Sequence, residues 1–187
     1  MAERAKGRFI FCTGGCRSGK SAYALSLAEG FAPKVFIATA EGRDAEMRQR
    51  ILAHKRERGP EWATLEVPVA SSLNLPEFVR KAAGLGGVLL LDSLSTWVSG
   101  CMEVLSGSRD EAALMDEVLA VFAQVVNILR QAGGRAVLVS AESGLGLTPL
   151  TAEGRLFADL LGKVNQVAAR HSDEAYFVVS SLPLRLK

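Results

Sequence analysis

Residues 8–21 read RFIFCTGGCRSGKS: a short apolar run leads into glycines, which are followed by a lysine and a serine. Positions 14–21 match the pattern G-x-x-x-x-G-K-[ST], and they lie between a predicted strand at 8–13 and a predicted helix at 21–30. Glycines let successive backbone N–H groups turn towards phosphate oxygens, and the start of the following helix adds positive charge. The stretch therefore predicts a phosphate-binding loop. Lys20 is expected to reach the β- and γ-phosphates, and the Ser21 hydroxyl is expected to coordinate Mg²⁺.

A second acidic residue, on a neighbouring strand, is expected to hold this Mg²⁺ or one of its water ligands. Asp92 directly follows the apolar run VLLL at 88–91, which makes it the candidate. Asp92 could instead cap the helix of the segment beginning at Ser93, and the two roles can coexist. Glu142 also follows a predicted strand, at the sheet edge where open α/β folds bind ligands, although an ordinary loop acid is an equal alternative. The expected ligands are thus a nucleoside triphosphate and Mg²⁺.

The rest of the chain alternates short apolar runs with helical stretches. Further strands are predicted at 34–40, 88–91, 135–141 and 174–180, with a possible short one at 61–67, and helices at 43–58, 75–83, 110–132 and 151–170. The weakest stretch, 99–109, is expected to form a loop. Strands separated by helices indicate an α/β fold with a mostly parallel sheet and helices on both faces. No linker divides the chain, so the prediction is a single domain over residues 1–187.

Composition argues against several other classes of protein. The 187 residues are 49% hydrophobic and 22% charged, which indicates a folded domain and not a disordered chain. A net charge of +2 does not favour a nucleic-acid partner. Three cysteines without metal-ligand spacing indicate neither a disulfide framework nor a zinc site. Because no run of about 18 apolar residues and no secretory signal is apparent, we expect a cytoplasmic protein without a membrane span.

His54 lies in the charged stretch RILAHKRER at 50–58, where Arg50, His54 and Arg58 share a helical face. One interpretation is a solvated charged helix. The other is catalytic, because a neutral imidazole is a competent nucleophile towards phosphorus. The surrounding cations would disfavour the imidazolium and offset the charge of a triphosphate. The residues alone leave both interpretations open.

A more specific signal comes from combining motifs: IAT at 37–39, R-I-x-x-H at 50–54, and Trp62 with Glu66 four residues later. These lie within the segments TGGCRSGKS (13–21), FIATAEGRDAEMRQRILAHKRERGPEWATLEVP (36–68), LLLDSLSTWVS (89–99) and ESGLGLTPLTAEGRLFADLLGKVNQVAA (142–169). Together they resemble the bifunctional adenosylcobinamide kinase/adenosylcobinamide-phosphate guanylyltransferase family of cobalamin biosynthesis. The chain departs from the common family pattern at Ser143 and Thr148, where Val is usual, and at Gly154, where an Asn is usual; these departures affect the expected corrinoid contacts.

The resemblance implies two reactions, phosphorylation of adenosylcobinamide and transfer of GMP from GTP to adenosylcobinamide phosphate, with ATP and GTP as substrates. It implies that His54 carries GMP covalently, that the sheet is RecA-like, and that the protein is a homotrimer. The implied nucleotide-binding residues are Gly14, Gly15, Cys16, Arg17, Ser18, Gly19, Lys20, Ser21, Thr39, Ala40, Glu41, Lys55, Arg56, Glu57, Arg58, Glu66 and Asp92. Two alternatives remain: a P-loop small-molecule kinase without guanylyl transfer, and a RecA-like ATPase module that binds nucleic acid, which the low net charge supports little.

Overall fold

The computed structural model describes residues 7–107 and 110–187. In the helix Ala45–Arg58 it describes all side chains except those of Glu46, Met47, Arg50, Ala53, His54 and Glu57. Within these residues, seven strands form one sheet in the order β3-β2-β4-β5-β1-β6-β7. The strands are β1 Arg8–Gly14, β2 Lys34–Ala38, β3 Trp62–Glu66, β4 Val88–Asp92, β5 Arg135–Ala141, β6 Glu174–Val179 and β7 Leu182–Arg185. The first six are parallel to one another, and β7 is antiparallel to β6.

Helices cover both faces of the sheet, as the sequence predicts. They are α1 Lys20–Ser26, α2 Ala45–Arg58, α3 Leu75–Gly84, α4 Leu94–Leu105, α5 Glu111–Gln131 and α6 Ala152–His171, with a 3-10 helix at Val69–Asn74. The larger core lies between the sheet and α3 to α6, and the smaller core includes Ala24 of α1. Along β1, Phe9 and Phe11 belong to the larger core, whereas Ile10 and Cys12 belong to the smaller one. This alternation explains why the strand sequence is apolar throughout.

Helix α5 is long and apolar enough to span a membrane by length and composition, with 21 residues and a mean hydropathy of 1.7. In the structure it packs against α3, α4 and α6, and Val118, Phe122 and Val125 are fully buried in the larger core. A core helix meets the same length and hydropathy criteria as a membrane span. We therefore interpret α5 as a core helix.

Two local predictions are wrong. The stretch 99–109 was expected to be a loop, but α4 continues to Leu105; Ser108 and Arg109 lie outside the described residues. Gly100 lowers the helix propensity there, but burial of Cys101 and Leu105 in the core outweighs that preference. The strand at 174–180 was expected to be the last, yet β7 follows it after a two-residue turn. All four residues of β7 are exposed, so this strand has no apolar-in, polar-out burial pattern.

Candidate active site

A cavity of about 770 Å³ opens at the carboxyl ends of the central strands. The final residues of β2, β4 and β5, which are Ala38, Asp92 and Ala141, line it together with the loop that follows β1. Helix α2 forms the opposite wall. Ligands bind at this edge of parallel sheets because the loops that leave the strands converge there.

The phosphate loop supplies Cys16, Lys20 and Ser21 to the cavity. Its backbone turns tightly: the Ser18 N–H donates to the Gly15 carbonyl oxygen over 3.3 Å. The Lys20 ammonium donates to the same carbonyl oxygen over 3.1 Å, so the side chain folds back across the loop. The loop thus presents one cation and one hydroxyl at the place where the sequence predicts a triphosphate.

Asp92 lies at the carboxyl end of β4 and lines the same cavity as Ser21. The expectation that it lies on a strand neighbouring β1 is wrong, because β5 lies between β1 and β4. Strand order is a tertiary property that the local apolar run does not encode. Asp92 is also not the helix cap, since the Ser93 side chain accepts a hydrogen bond from the Thr96 N–H and caps α4. Its carboxylate is therefore not needed to start the helix.

Ser21 and Asp92 fit a Mg²⁺ site of the kind that is completed by substrate. Both present hard oxygen donors to one cavity. Mg²⁺ usually keeps several waters and binds one or two protein oxygens together with substrate phosphates. The described residues contain no group of three or more His, Cys, Asp or Glu that could form an all-protein metal cage. The donor set therefore suits a cation that arrives with a triphosphate.

Side-chain contacts hold α2 against the sheet. Arg58 is only 7% exposed, and its guanidinium carbon lies 3.6 Å from the centroid of the Phe36 ring, a stacking cation–π geometry. The Lys55 ammonium lies 2.5 Å from a Glu66 carboxylate oxygen at the end of β3. Lys55, Arg58 and Glu66 all line the cavity. This wall therefore carries charges of both signs close to the phosphate loop.

The model of the family described as "Cobinamide kinase / cobinamide phosphate guanyltransferase" (CobU) matches residues 10–186. This chain belongs to that family. The resemblance predicted from its motifs is confirmed.

Curated relatives align along almost their whole length. The bifunctional adenosylcobalamin biosynthesis protein CobP of Pseudomonas aeruginosa is 36% identical, over 93% of this chain and 94% of that protein. The proteins named CobU of Salmonella typhimurium and Escherichia coli are 34% and 30% identical, each over 95% of this chain and 99% of the relative. Among solved structures, the KaiC-like protein PH0186 of Pyrococcus horikoshii matches with a TM-score of 0.47 and 16% identity, over 92% of this chain and 71% of that one.

The cavity brings together about half of the residues that the family resemblance implies for nucleotide binding. Those that line it are Cys16, Lys20, Ser21, Ala40, Glu41, Lys55, Arg58, Glu66 and Asp92. Gly14, Gly15, Ser18 and Gly19 form the backbone of the phosphate loop. Arg17 and Arg56 are exposed and do not line the cavity. The side chains of His54 and Glu57 lie outside those described, although both residues belong to α2.

Thr39 is buried and does not line the cavity, so its expected contact with the nucleotide stays a prediction. Its hydroxyl donates to the Ser93 carbonyl oxygen over 2.7 Å and accepts from the Ser93 N–H over 2.9 Å. These bonds join the end of β2 to the start of α4, next to Asp92. The structure therefore gives Thr39 a positioning role.

Sequence reasoning missed the apolar part of the site. Phe36, Ile51, Leu52, Val67 and Pro68 line the cavity. An apolar residue that faces a cavity has the same local pattern as one that faces the core, so no sequence signal separates them. Only the tertiary structure shows that Ile51 lies on the side of α2 that faces the cavity. Glu142 does line the cavity, as its place after β5 suggests, and it accepts a 2.7 Å hydrogen bond from the Gly144 N–H.

Proposed function

We propose that this chain carries out both reactions of its family in the one cavity. It phosphorylates adenosylcobinamide, and it transfers GMP from GTP to adenosylcobinamide phosphate. The observation that carries the proposal is the meeting of the phosphate loop, Asp92 and the cationic wall of α2 around a single space. A kinase alone requires the phosphate loop and Asp92. The cationic helix α2, with its histidine, is what guanylyl transfer requires in addition.

For phosphoryl transfer, Lys20 binds the β- and γ-phosphates, and Ser21 and Asp92 would hold a Mg²⁺ ion, which would supply positive charge against the charge that develops on the phosphates. The corrinoid hydroxyl attacks the γ-phosphorus in line with the leaving oxygen. A P–O bond to the acceptor forms, the bond to the nucleoside diphosphate breaks, and the hydroxyl proton passes to solvent water. No enzyme nucleophile is required, because positioning and electrostatics supply the rate enhancement.

For guanylyl transfer, we assign His54 as the nucleophile. Helical spacing puts position 54 on the same face as positions 51 and 58, and Ile51 and Arg58 line the cavity. An imidazole nitrogen attacks the α-phosphorus of GTP, a P–N bond forms, and the bond to pyrophosphate breaks. A phosphate oxygen of the corrinoid then attacks the same phosphorus, and the histidine is released. Lys55 and Arg58 favour the neutral imidazole that the first step requires.

The remaining nucleotide contacts follow from the lining of the cavity. Ala40, Glu41 and Glu66 lie at the ends of β2 and β3, next to α2, and complete the site for GTP. Lys55 and Glu66 pair with each other in the structure and exchange that contact for the nucleotide. A homotrimer and a cytoplasmic location are part of the same proposal, and analytical ultracentrifugation tests the first.

Incubation with GTP labelled on its α-phosphate tests the nucleophile. We expect an acid-labile, base-stable adduct on the wild-type protein and none on His54→Ala, which should keep most of its kinase activity. His171→Ala is the matched control, because it removes the other histidine of the chain, at the end of α6, where its Nδ1 lies 3.4 Å from Arg130 Nη1. Covalent GMP on His54→Ala would refute the assignment. Kinase activity without an adduct on the wild-type protein would favour the small-molecule kinase alternative.

A further inference from the structure

The hairpin formed by β6 and β7 contacts the phosphate loop at both of its ends. Gly14 pairs with Val178 of β6, and a Cβ on Gly14 would lie 2.3 Å from the Val178 carbonyl oxygen. At the other end of the loop, the Ser181 N–H donates a 2.8 Å hydrogen bond to the Ser18 carbonyl oxygen. A Cβ on Gly19 would lie 2.9 Å from the Ser181 Cα. The loop is thus packed against one hairpin, too closely for side chains at positions 14 and 19.

The bond from Ser181 fixes the orientation of one loop peptide. In a planar trans peptide the N–H points opposite to the C=O. Because the Ser18 carbonyl is directed to the Ser181 N–H, the Gly19 N–H of the same peptide points away from the hairpin. A loop that binds phosphate through its backbone needs its N–H groups on the ligand side and its carbonyl oxygens on the other. The hairpin therefore sets the peptide in the orientation that anion binding requires.

The turn of this hairpin has an unusual backbone. Ser180 and Ser181 connect β6 to β7 with φ values of 50° and 64°. Two-residue turns with two positive φ angles favour Asn-Gly or a similar pair, and other residues adopt this conformation rarely. Such a conformation persists where surrounding structure over-determines it, and it is found most often near functional sites. Here the surrounding contact is with the phosphate loop.

The far end of the hairpin is also anchored. The Lys187 ammonium donates to the carbonyl oxygens of Arg170 and Ser172 at the end of α6, over 3.0 and 2.6 Å. The Leu186 N–H donates to the Ala175 carbonyl oxygen over 2.8 Å. These bonds restrict movement of β7 along β6. A displacement of the turn would therefore have to disturb the sheet, and the turn can act as a fixed support.

We propose that the Ser180–Ser181 turn positions the phosphate loop for triphosphate binding, with Ser181 as the positioning residue. Ser181 does not line the cavity and acts through Ser18 and Gly19. Because it acts on the loop backbone, its effect falls on any nucleoside triphosphate, whatever the base or the acceptor. The inference rests on the proposed binding of ATP and GTP at this loop.

Ser181→Val and Ser180→Val form a matched pair. A β-branched residue strains both positions of the turn in the same way, but only position 181 is bonded to the phosphate loop. We expect similar falls in Tm for both variants. We expect Ser181→Val to raise the KM for both ATP and GTP by about tenfold or more, with the KM for the corrinoid substrate unchanged. Nucleotide KM values that rise equally in both variants, or in neither, would overturn the proposal.

Hydrogen exchange on the wild-type protein decides the question even if Ser181→Val does not fold. Binding of Mg·GTP stabilises the loop conformation, so by linkage it should slow exchange of the Ser181 amide, which is bonded to the loop, more than that of the Ser180 amide. Equal or absent slowing at saturating GTP would overturn the positioning role. If the wild-type protein bound no triphosphate at all, the proposed function would fail instead.

Discussion

The two walls of the cavity are built in different ways. The phosphate-loop wall is held by backbone: Gly14 ends a strand paired on both sides, and Ser181 binds the Ser18 carbonyl oxygen. The α2 wall is held by side chains, through Arg58 on Phe36 and the ion pair of Lys55 with Glu66. Among the described side chains of α2, only that of Arg58 belongs to a buried residue.

This difference divides the chemistry. Backbone groups recognise a triphosphate, which both reactions use, so the phosphate-loop wall serves both. The side chains that we propose for guanylyl transfer, including that of His54, belong to residues of α2. We therefore expect changes in the phosphate-loop wall to reduce both activities together. Changes in the α2 wall should reduce guanylyl transfer and largely spare the kinase activity.

The largest effect on the two reactions together is expected from Lys20→Ala. It removes the cation that we expect to bind the triphosphate in both reactions, and loss of such an electrostatic contact costs on the order of 10²–10³ in rate. In steady-state assays, the rates of the two reactions should fall by similar factors. Lys34→Ala is the control, because Lys34 lies at the start of β2 and pairs with Glu61 over 3.3 Å, away from the cavity lining. Near-normal GTP binding by Lys20→Ala would disprove the phosphate-loop assignment.

The second-largest effect is expected from Asp92→Asn. The amide keeps the size of the side chain but loses the charge, so we expect a 10- to 100-fold higher Mg²⁺ requirement in both reactions. Because Ser93 caps α4, Asp92→Asn should leave Tm almost unchanged, whereas Ser93→Ala should cost about 1 kcal/mol of stability. Thermal unfolding and Mg²⁺ titrations measure the two quantities separately. A folded Asp92→Asn protein with unchanged Mg²⁺ dependence would exclude this residue from the metal site.

The two walls also differ in how far the sequence predicts them. The phosphate loop is a local motif, and its place between β1 and α1 follows from residues 8–26 alone. The contacts of α2 join residues distant in sequence, such as Arg58 with Phe36, and no local pattern indicates them. Helix α2 has few apolar residues, so its charged sequence alone favoured a solvated helix. Only the family motifs favoured a catalytic His54 over that alternative.

The contact between the β6–β7 hairpin and the phosphate loop was not predictable either, for a related reason. Ser180 and Ser181 are not typical residues of a two-residue hairpin turn, so neither the turn nor β7 was expected. The order of the strands, with β5 between β1 and β4, likewise depends on packing and not on the strand sequences. Strand and helix positions were otherwise well predicted, because buried parallel strands are continuously apolar.

Arg58→Leu tests the α2 wall. It keeps much of the side-chain volume but removes a cation–π contact of about 1–2 kcal/mol, so guanylyl transfer should fall by roughly tenfold. The kinase should change by less than about twofold. Arg56→Leu, at an exposed position of the same helix, is the matched control. Equal losses in both reactions for Arg58→Leu would show that the two walls do not act separately.

The smallest effect on activity is expected from mild thiol modification, which distinguishes the exposed side of the phosphate-loop wall from its buried side. Cys16 is exposed and lines the cavity, whereas Cys12 in β1 and Cys101 in α4 are buried. Burial raises the pKa of Cys12 and Cys101 to about 12, so at about pH 8 both remain protonated and unreactive.

Alkylation followed by peptide mapping should therefore find Cys16 alone, and GTP should slow its reaction. A small adduct should weaken nucleotide binding only a few-fold, since a phosphate loop binds through its backbone. Labelling of Cys12 in the folded protein, or no protection of Cys16 by GTP, would contradict this division of the wall.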